Sequence, residues 1–384
     1  MVIQLTPSPV VETADLKALR QKVRDFVAAE LASGGFTPTI NSWLGGWEPE
    51  FSRKLAAQGW LGMTIPKEYG GHGASFLERV VVTQELLAAG APVSAHWVAD
   101  RQIGPSLVKF GTEEQKQKLL PGIATGELFF GIGMSEPDAG SDLASVRTRG
   151  TKVDGGWKVT GSKVWTSGAH ASDYFFVLAR TAPLDTAHRH EGLSQFIVDL
   201  HAPGVEVRPI ISLNGGHHFN EVFLEDVFVP DDMVLGTIGD GWHQVTSELS
   251  YERSGSERFL STLPMLEEIR QAMSRGDIPV DPELGRYFAR IMALHQTSLA
   301  VAGALSRGEE VGTPASIVKV LGTTTEGDIA ELATMVPGAA SAAASLDTLR
   351  RYSDQALLER AGFTLRGGTN EVLRGVIARG LGLR

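Results

Sequence analysis

The sequence predicts a mainly α fold with a central β-domain, and three observations carry that expectation. Apolar side chains recur at helical spacing through about residue 129. From about 130 to 233 the pattern changes to short strand-like runs punctuated by Gly, Pro and Asn. Helical spacing returns near Gly241 and continues to the end. The expected domains are therefore 1–129, 130–233 and 234–384. No strand–helix alternation runs through the chain, which argues against a doubly wound sheet or a TIM barrel.

Each element has a local reason. In 16–31, Leu16, Leu19, Val23, Phe26 and Val27 lie near one helical face. Helices are also expected over 51–59, 77–89, 101–110 and 112–120. The last opens on Thr112 with Gln115 three residues later, the spacing of a capping box. In the β-region, 156–160 and 163–166 read as two strands across a Gly161–Ser162 turn. Further strands are expected over 173–179, 194–200, 205–210 and 221–229, with 185–191 an exposed loop. The C-terminal third reads as one long helical pattern over 242–273, broken near Pro264, and then helices over 282–306, 313–335, 339–353 and 370–380.

Composition narrows the function classes. Apolar residues make up 42% and charged residues 21%, the balance of a soluble globular chain. The formal net charge of −10 argues weakly against nucleic acid as the main partner and leaves an anionic ligand open, because local basic sites can outweigh the global sign. There is no cysteine, so disulfides, thiolate catalysis and Cys-ligated metals are excluded. No apolar stretch is long enough to span a membrane, and the N-terminus has no signal-peptide pattern; a cytoplasmic protein is expected. GxGxxG, phosphate-loop, GxSxG and HExxH patterns are all missing. The histidine pairs His188/His190 and His217/His218 fall in expected loops and are read as exposed or structural, with no metal site.

Several segments carry chemistry together. GIGMSEPDAGSDLASV spans 131–146, KVWTSGA spans 163–169, FNEVFLEDVFVP spans 219–230, YER spans 251–253, and GGTNEVLRGVIARGLGLR closes the chain. Alone, the first reads equally as an ordinary interdomain turn or as a functional loop, and a lone strand tryptophan is usually a core residue. In this order and at these separations, the set resembles the acyl-CoA dehydrogenase family from about Gly59 to the last residue. The resemblance implies a helical N-domain, a β-barrel-like middle domain and a four-helix-bundle C-domain.

It also implies FAD as cofactor. Met134 and Ser135 would meet the isoalloxazine edge, and Ser141 the flavin phosphate or the substrate's pantetheine. Trp165 would pack beside the ring, with Thr166 and Ser167 as polar contacts, and Thr369 and Glu371 would touch the dinucleotide. A flat, largely apolar heterocycle is suited by an aromatic wall and a few fixed donors. One departure concerns the adenine end. The family's Arg-x-x-Phe-Gly stretch is missing, and GRYFARIMALH at 285–295 occupies its approximate place.

The second departure concerns the catalytic base. Many family members carry it immediately before the C-terminal Gly-Thr, where this chain has Gly367. A second group carries it in a Glu-Arg pair on a C-domain helix, which Glu252-Arg253 matches. Read as helix, Val245, Leu249, Glu252, Ser256 and Phe259 share a face, so Glu252 interrupts an apolar stripe. Desolvation there is expected to raise its pKa above the free value of about 4.3. The competing reading is a structural ion pair, but adjacent helical residues point roughly 100° apart, which disfavours a mutual pair with Arg253.

The resemblance thus implies acyl-CoA oxidation to the 2,3-enoyl-CoA, with Glu252 as base, Arg253 and Ser141 holding CoA, and the Gly367 N–H polarising the thioester. Electrons would pass to an electron-transfer flavoprotein or similar carrier, within a homo- or hetero-oligomer, usually tetrameric in the family. Two alternatives stay open: a flavin-poor structural partner subunit, and a flavin oxidase or monooxygenase.

Overall fold

A computed structural model describes residues 6–253, 255–336 and 346–383, excepting the side chains at 249–252. The N-terminal helices are α1 (Ala14–Ala32), α2 (Ser42–Gly45), α3 (Pro49–Ala57), α4 (Phe76–Ala88), α5 (Ser94–Val98), α6 (Gly104–Phe110) and α7 (Glu113–Thr125). The strands are β1 (Phe130–Gly133), β2 (Arg149–Val153), β3 (Gly156–Ser167), β4 (Tyr174–Arg180), β5 (Leu193–Asp199), β6 (Val205–Ile211), β7 (His217–Pro230) and β8 (Val234–Leu235). Helices α8 (Gly241–Arg253), α9 (Leu263–Arg275), α10 (Glu283–Ser306), α11 (Gly312–Met335), α12 (Asp347–Leu365) and α13 (Asn370–Gly380) follow. The fold is mainly helical with a central sheet.

The chain forms two compact units, each discontinuous in sequence. One contains 1–46, 75–93 and 252–384, the other 47–74 and 94–251. Within the second, strands run β6-β7-β3-β2-β4-β5-β8, and β1 pairs with β4 in parallel. Phe130, Phe175, Phe176, Phe196, Val222 and Val227 are buried in its core with Leu107, Leu120 and Ile123 from the flanking helices. Thr112 caps α7 as its spacing predicts: its hydroxyl accepts from Gln115 N, and Gln115 Oε1 accepts from Thr112 N. Such a cap contributes about 1 kcal/mol, and α7 runs on through Pro121 to Thr125.

The expected turn at Gly161–Ser162 is not there. β3 is one continuous strand, paired with β2 on one edge and β7 on the other. The true hairpin joins β2 to β3 through Asp154-Gly155, with Gly155 at φ +72°. Asp-Gly is the favoured pair for a two-residue hairpin. Gly161 answers a different need: a Cβ there would lie 2.4 Å from Thr148 Oγ1 and 2.7 Å from Thr148 Cα. His217 and His218 also depart from expectation, since they open strand β7 instead of lying in a loop.

In the first unit, α11 packs against α10, α12 and α13. Asn370, the first residue of α13, is buried and accepts from Lys319 Nζ at 2.8 Å and Thr323 Oγ1 at 3.2 Å, both on α11. The helix expected over 242–273 is interrupted well before Pro264. α8 ends at Arg253, a 3-10 turn spans Ser256–Arg258, and α9 starts at Leu263. Ser256 and Phe259 are therefore not on the helical face that carries Glu252. Of the helix expected over 339–353, residues 339–345 lie outside the described residues, and α12 begins at Asp347. No helix of the described residues is long and apolar enough to cross a membrane.

Candidate functional site

In the sheet-containing unit, two segments meet: the loop after β1 and the C-terminal end of β3. The SEPDAGSD loop is closed on itself by Glu136 N to Ala139 O (2.9 Å) and Ala139 N to Glu136 O (3.1 Å). The Glu136 carboxylate turns inward. It accepts from Arg147 N at 2.6 Å, Thr148 N at 2.9 Å and Lys163 Nζ at 2.8 Å. Lys163 is completely buried on β3 and also donates to Met134 O at 3.1 Å. Val164 N donates to Ser135 O at 2.9 Å. These bonds lock Met134 and Ser135 to the strand that presents Trp165.

Burial pushes the Lys163 ammonium down to about 8, against the upward pull of Glu136. Burial raises the Glu136 carboxyl, but the Lys163 charge and the donors around it outweigh that and leave it below its ordinary value. An ion pair inside the fold is costly to desolvate and strongly destabilising to half-break, so its geometry is stiff.

Just beyond Lys163 the β3–β7 register shifts, and the irregularity lies between Lys163 and Thr166. Trp157, Val159 and Lys163 point inward at odd positions, and after the shift Thr166 takes the inward place. Trp165 sits at φ +63°, is 57% exposed, and meets Phe219 edge-on at 5.7 Å between centroids. A left-handed backbone at a bulky residue costs about 1–2 kcal/mol. The bulge turns outward a ring that strict alternation would bury.

Met134 and Ser135 are half-buried and Ser141 is exposed. Thr166 is buried, and its Oγ1 has no hydrogen-bond partner among the described residues. Ser167 is half-buried. A strained, exposed aromatic face followed by the half-buried Ser167 fits the demands of a flavin ring, which needs a flat wall and a few fixed polar groups. The exposed stretch 185–191 is tied to the SEPDAGSD loop by Arg189 Nη2, which donates to Asp142 Oδ1 and Oδ2 at 2.8 and 2.7 Å.

In the other unit, the end of α8 meets the turn before α13. Arg253 Nε donates to Gly367 O at 3.3 Å, and a Cβ on Gly368 would lie 3.5 Å from Arg253 Nη2. Gly367 and Gly368 hold φ +67° and +87°. Arg253, expected to hold CoA, is thus half-buried and bonded to the turn itself. Glu252 occupies the last turn of α8; its side chain lies outside the described residues. Thr369 caps α13, its hydroxyl accepting from Val372 N at 3.3 Å, and Glu371 is exposed in the first turn.

Sequence reasoning missed Glu136 and Lys163. The signal for both was present: a lysine at an inward strand position requires a buried partner, and Glu136 lies in the SEPDAGSD segment. Among the described residues, no group of three or more His, Asp or Glu could hold a metal ion.

Three family models match in sequence order: the acyl-CoA dehydrogenase N-terminal domain over 13–127, middle domain over 131–227 and C-terminal domain over 279–382. The acyl-CoA dehydrogenase IpdE1 of Mycobacterium tuberculosis is 36% identical over 389 residues, covering 96% of this chain and 98% of that protein. FadE34 of the same organism is also 36% identical, but the match spans only 46% of its length. Among solved structures, the Tcur3481–Tcur3483 steroid ACAD is 33% identical with a TM-score of 0.84, covering 97% of this chain and 99% of that one. The ChsE4–ChsE5 complex of M. tuberculosis is 29% identical with a TM-score of 0.80, covering 98% and 100%.

Proposed function

The chain belongs to the acyl-CoA dehydrogenase family of oxidoreductases, and on that premise we propose that it catalyses FAD-dependent α,β-dehydrogenation of an acyl-CoA thioester to the 2,3-enoyl-CoA. The observation that carries the reading is the Arg253–Gly367 hydrogen bond. It ties the Glu-Arg pair on α8 to the turn at which other family members hold their base. A carboxylate supplied from α8 could then serve the reaction centre that Gly367 itself cannot.

FAD would be held by Met134, Ser135, Trp165, Thr166 and Ser167 along the ring, and by Thr369 and Glu371 toward the dinucleotide. When bound, it supplies the two-electron acceptor for the hydride leaving the β-carbon. Glu252 takes the α-proton onto its carboxylate. The Gly367 N–H polarises the thioester carbonyl and so acidifies the α-carbon. Ser141 and Arg253 hold the CoA portion, and a flavoprotein carrier removes the electrons.

Two of the similar structures suggest the substrate and the assembly. One is a steroid ACAD and the other a two-component complex. We therefore assign a bulky, ring-bearing acyl group as the substrate class and an oligomer as the working form. The test is turnover with an artificial electron acceptor across straight-chain, branched and steroid-side-chain acyl-CoA thioesters. Preference for the ring-bearing thioester supports the assignment, and preference for a straight chain contradicts it.

A second reading, a flavin-poor partner subunit, is favoured by the two-component neighbour and by the missing Arg-x-x-Phe-Gly stretch. Colour discriminates: a purified chain without flavin absorbance, active only when joined to a related subunit, supports this reading over the first.

A further inference from the structure

Behind the strained tryptophan lies a polar cluster that the reaction outlined above does not use. Asn220 on β7 is completely buried and directly opposite Thr166. Its Nδ2 lies 3.0 Å from Thr166 O and 3.1 Å from His170 Nδ1, and its Oδ1 lies 2.8 Å from His217 Nε2. The two imidazoles stack, with centroids 4.0 Å apart and an interplanar angle of 26°.

The donor pattern is determined from one end. Thr166 O can only accept, so the NH2 of Asn220 must face it. The second N–H of that group then points at His170 Nδ1, which must be the acceptor. His170 is therefore neutral, with its proton on Nε2. Asn220 Oδ1 in turn accepts from His217 Nε2–H. Both amide N–H groups and the amide oxygen are thus engaged.

We infer that Asn220 is a positioning residue for the flavin-facing wall: it braces the Thr166 carbonyl, keeps Trp165 in its left-handed conformation, and does so in full only while His170 is neutral. This rests on the assignment of Trp165 to the flavin site. The strain at a left-handed tryptophan and the strength of one buried hydrogen bond are of the same order, so the bulge depends on the brace. A proton on His170 Nδ1 turns that acceptor into a donor facing another donor. Flipping the amide relieves that contact but sets Oδ1 against Thr166 O. No orientation of the amide satisfies all three partners while the exposed His170 ring keeps its place, so protonation weakens the brace. His217 is the titratable group stacked on His170; Trp47 flanks the same ring at 6.3 Å. Burial and the nearby His217 both hold His170 below its ordinary value. The neutral form, and hence the full brace, is present near pH 7 and weakens on acidification.

The experiment follows flavin release from the holoenzyme by the rise in free-flavin fluorescence, from about pH 8 to about pH 5. Wild type is expected to hold flavin at neutral pH and release it on acidification. Asn220→Leu should weaken retention at neutral pH by about tenfold, the equivalent of one lost hydrogen bond, and His170→Gln should flatten the acid response. The decisive comparison uses Trp165→Gly, because glycine needs no brace at φ +63°. Adding Asn220→Leu to Trp165→Gly should cause no further loss. Equal losses from Asn220→Leu in both backgrounds would show a merely structural role and overturn the inference. Unchanged retention in Asn220→Leu alone also overturns it, while leaving the flavin reading intact. A wild-type chain that binds no flavin at any pH sinks both.

Discussion

Replacing Glu136 by leucine isolates the tie between the two segments proposed to meet the flavin. The substitution leaves the Lys163 ammonium buried with a single carbonyl, Met134 O, as its partner among the bonds seen here. Half-broken buried pairs cost about 3–5 kcal/mol. The backbone N–H groups of Arg147 and Thr148 also lose their acceptor, which places Glu136→Leu at the upper end of that range. Lys163→Met is milder, about 1–3 kcal/mol, because Glu136 keeps both backbone donors and lies nearer the surface. The double variant no longer strands the ammonium, so it should be less destabilised than the sum of the singles by about 2 kcal/mol. Urea unfolding followed by circular dichroism, run as a double-mutant cycle, reads these differences. Additive singles, or a Glu136→Leu cost below about 1 kcal/mol, would refute the claim that this pair clamps the loop to the strand.

Other consequences concern separate parts of the fold. Trp165→Gly removes a large side chain yet should change stability by less than about 1 kcal/mol, because relief at φ +63° offsets lost contacts; flavin affinity, measured by titration, should fall about tenfold. Gly161→Ala should destabilise by about 1–3 kcal/mol in urea melts, since its Cβ would meet Thr148 Cα at 2.7 Å. His96 is fully buried, bonded to Ser52 at 2.8 Å, and burial lowers it to about 3. Its unfolded form takes a proton below about pH 6.5 while the folded form does not, so stability is full above that pH and declines as the pH falls toward the folded value. At pH 5 the loss is about 2 kcal/mol, and His96→Gln should flatten the acid limb of stability against pH by that amount.

Much of this was legible in the sequence because periodicity and caps are local. The helical and strand zones follow from spacing, and the Thr112 cap forms as written. What sequence could not separate was two uses of glycine. Asp154-Gly155 makes the hairpin, whereas Gly161 lets a strand pass close to Thr148; a pair of letters reads alike in both cases. The bulge at Trp165 is hidden for a related reason, because a register shift is a property of two paired strands and the β3 sequence carries only one of them. The apolar stripe behind Glu252 was overextended, since α8 ends at Arg253 and the residues beyond it fold back into a 3-10 turn. The link from Arg253 to Gly367 spans more than a hundred residues of chain, and no local pattern encodes it.

The most direct test of the central claim is anaerobic reduction of the bound flavin by an acyl-CoA substrate, wild type against Glu252→Gln, followed as bleaching of the flavin absorbance in a stopped-flow mixer. The account predicts that the variant purifies with its flavin, binds substrate, and reduces at least about a hundredfold more slowly, the scale of losing a general base. Reduction at a near-normal rate in Glu252→Gln would contradict it.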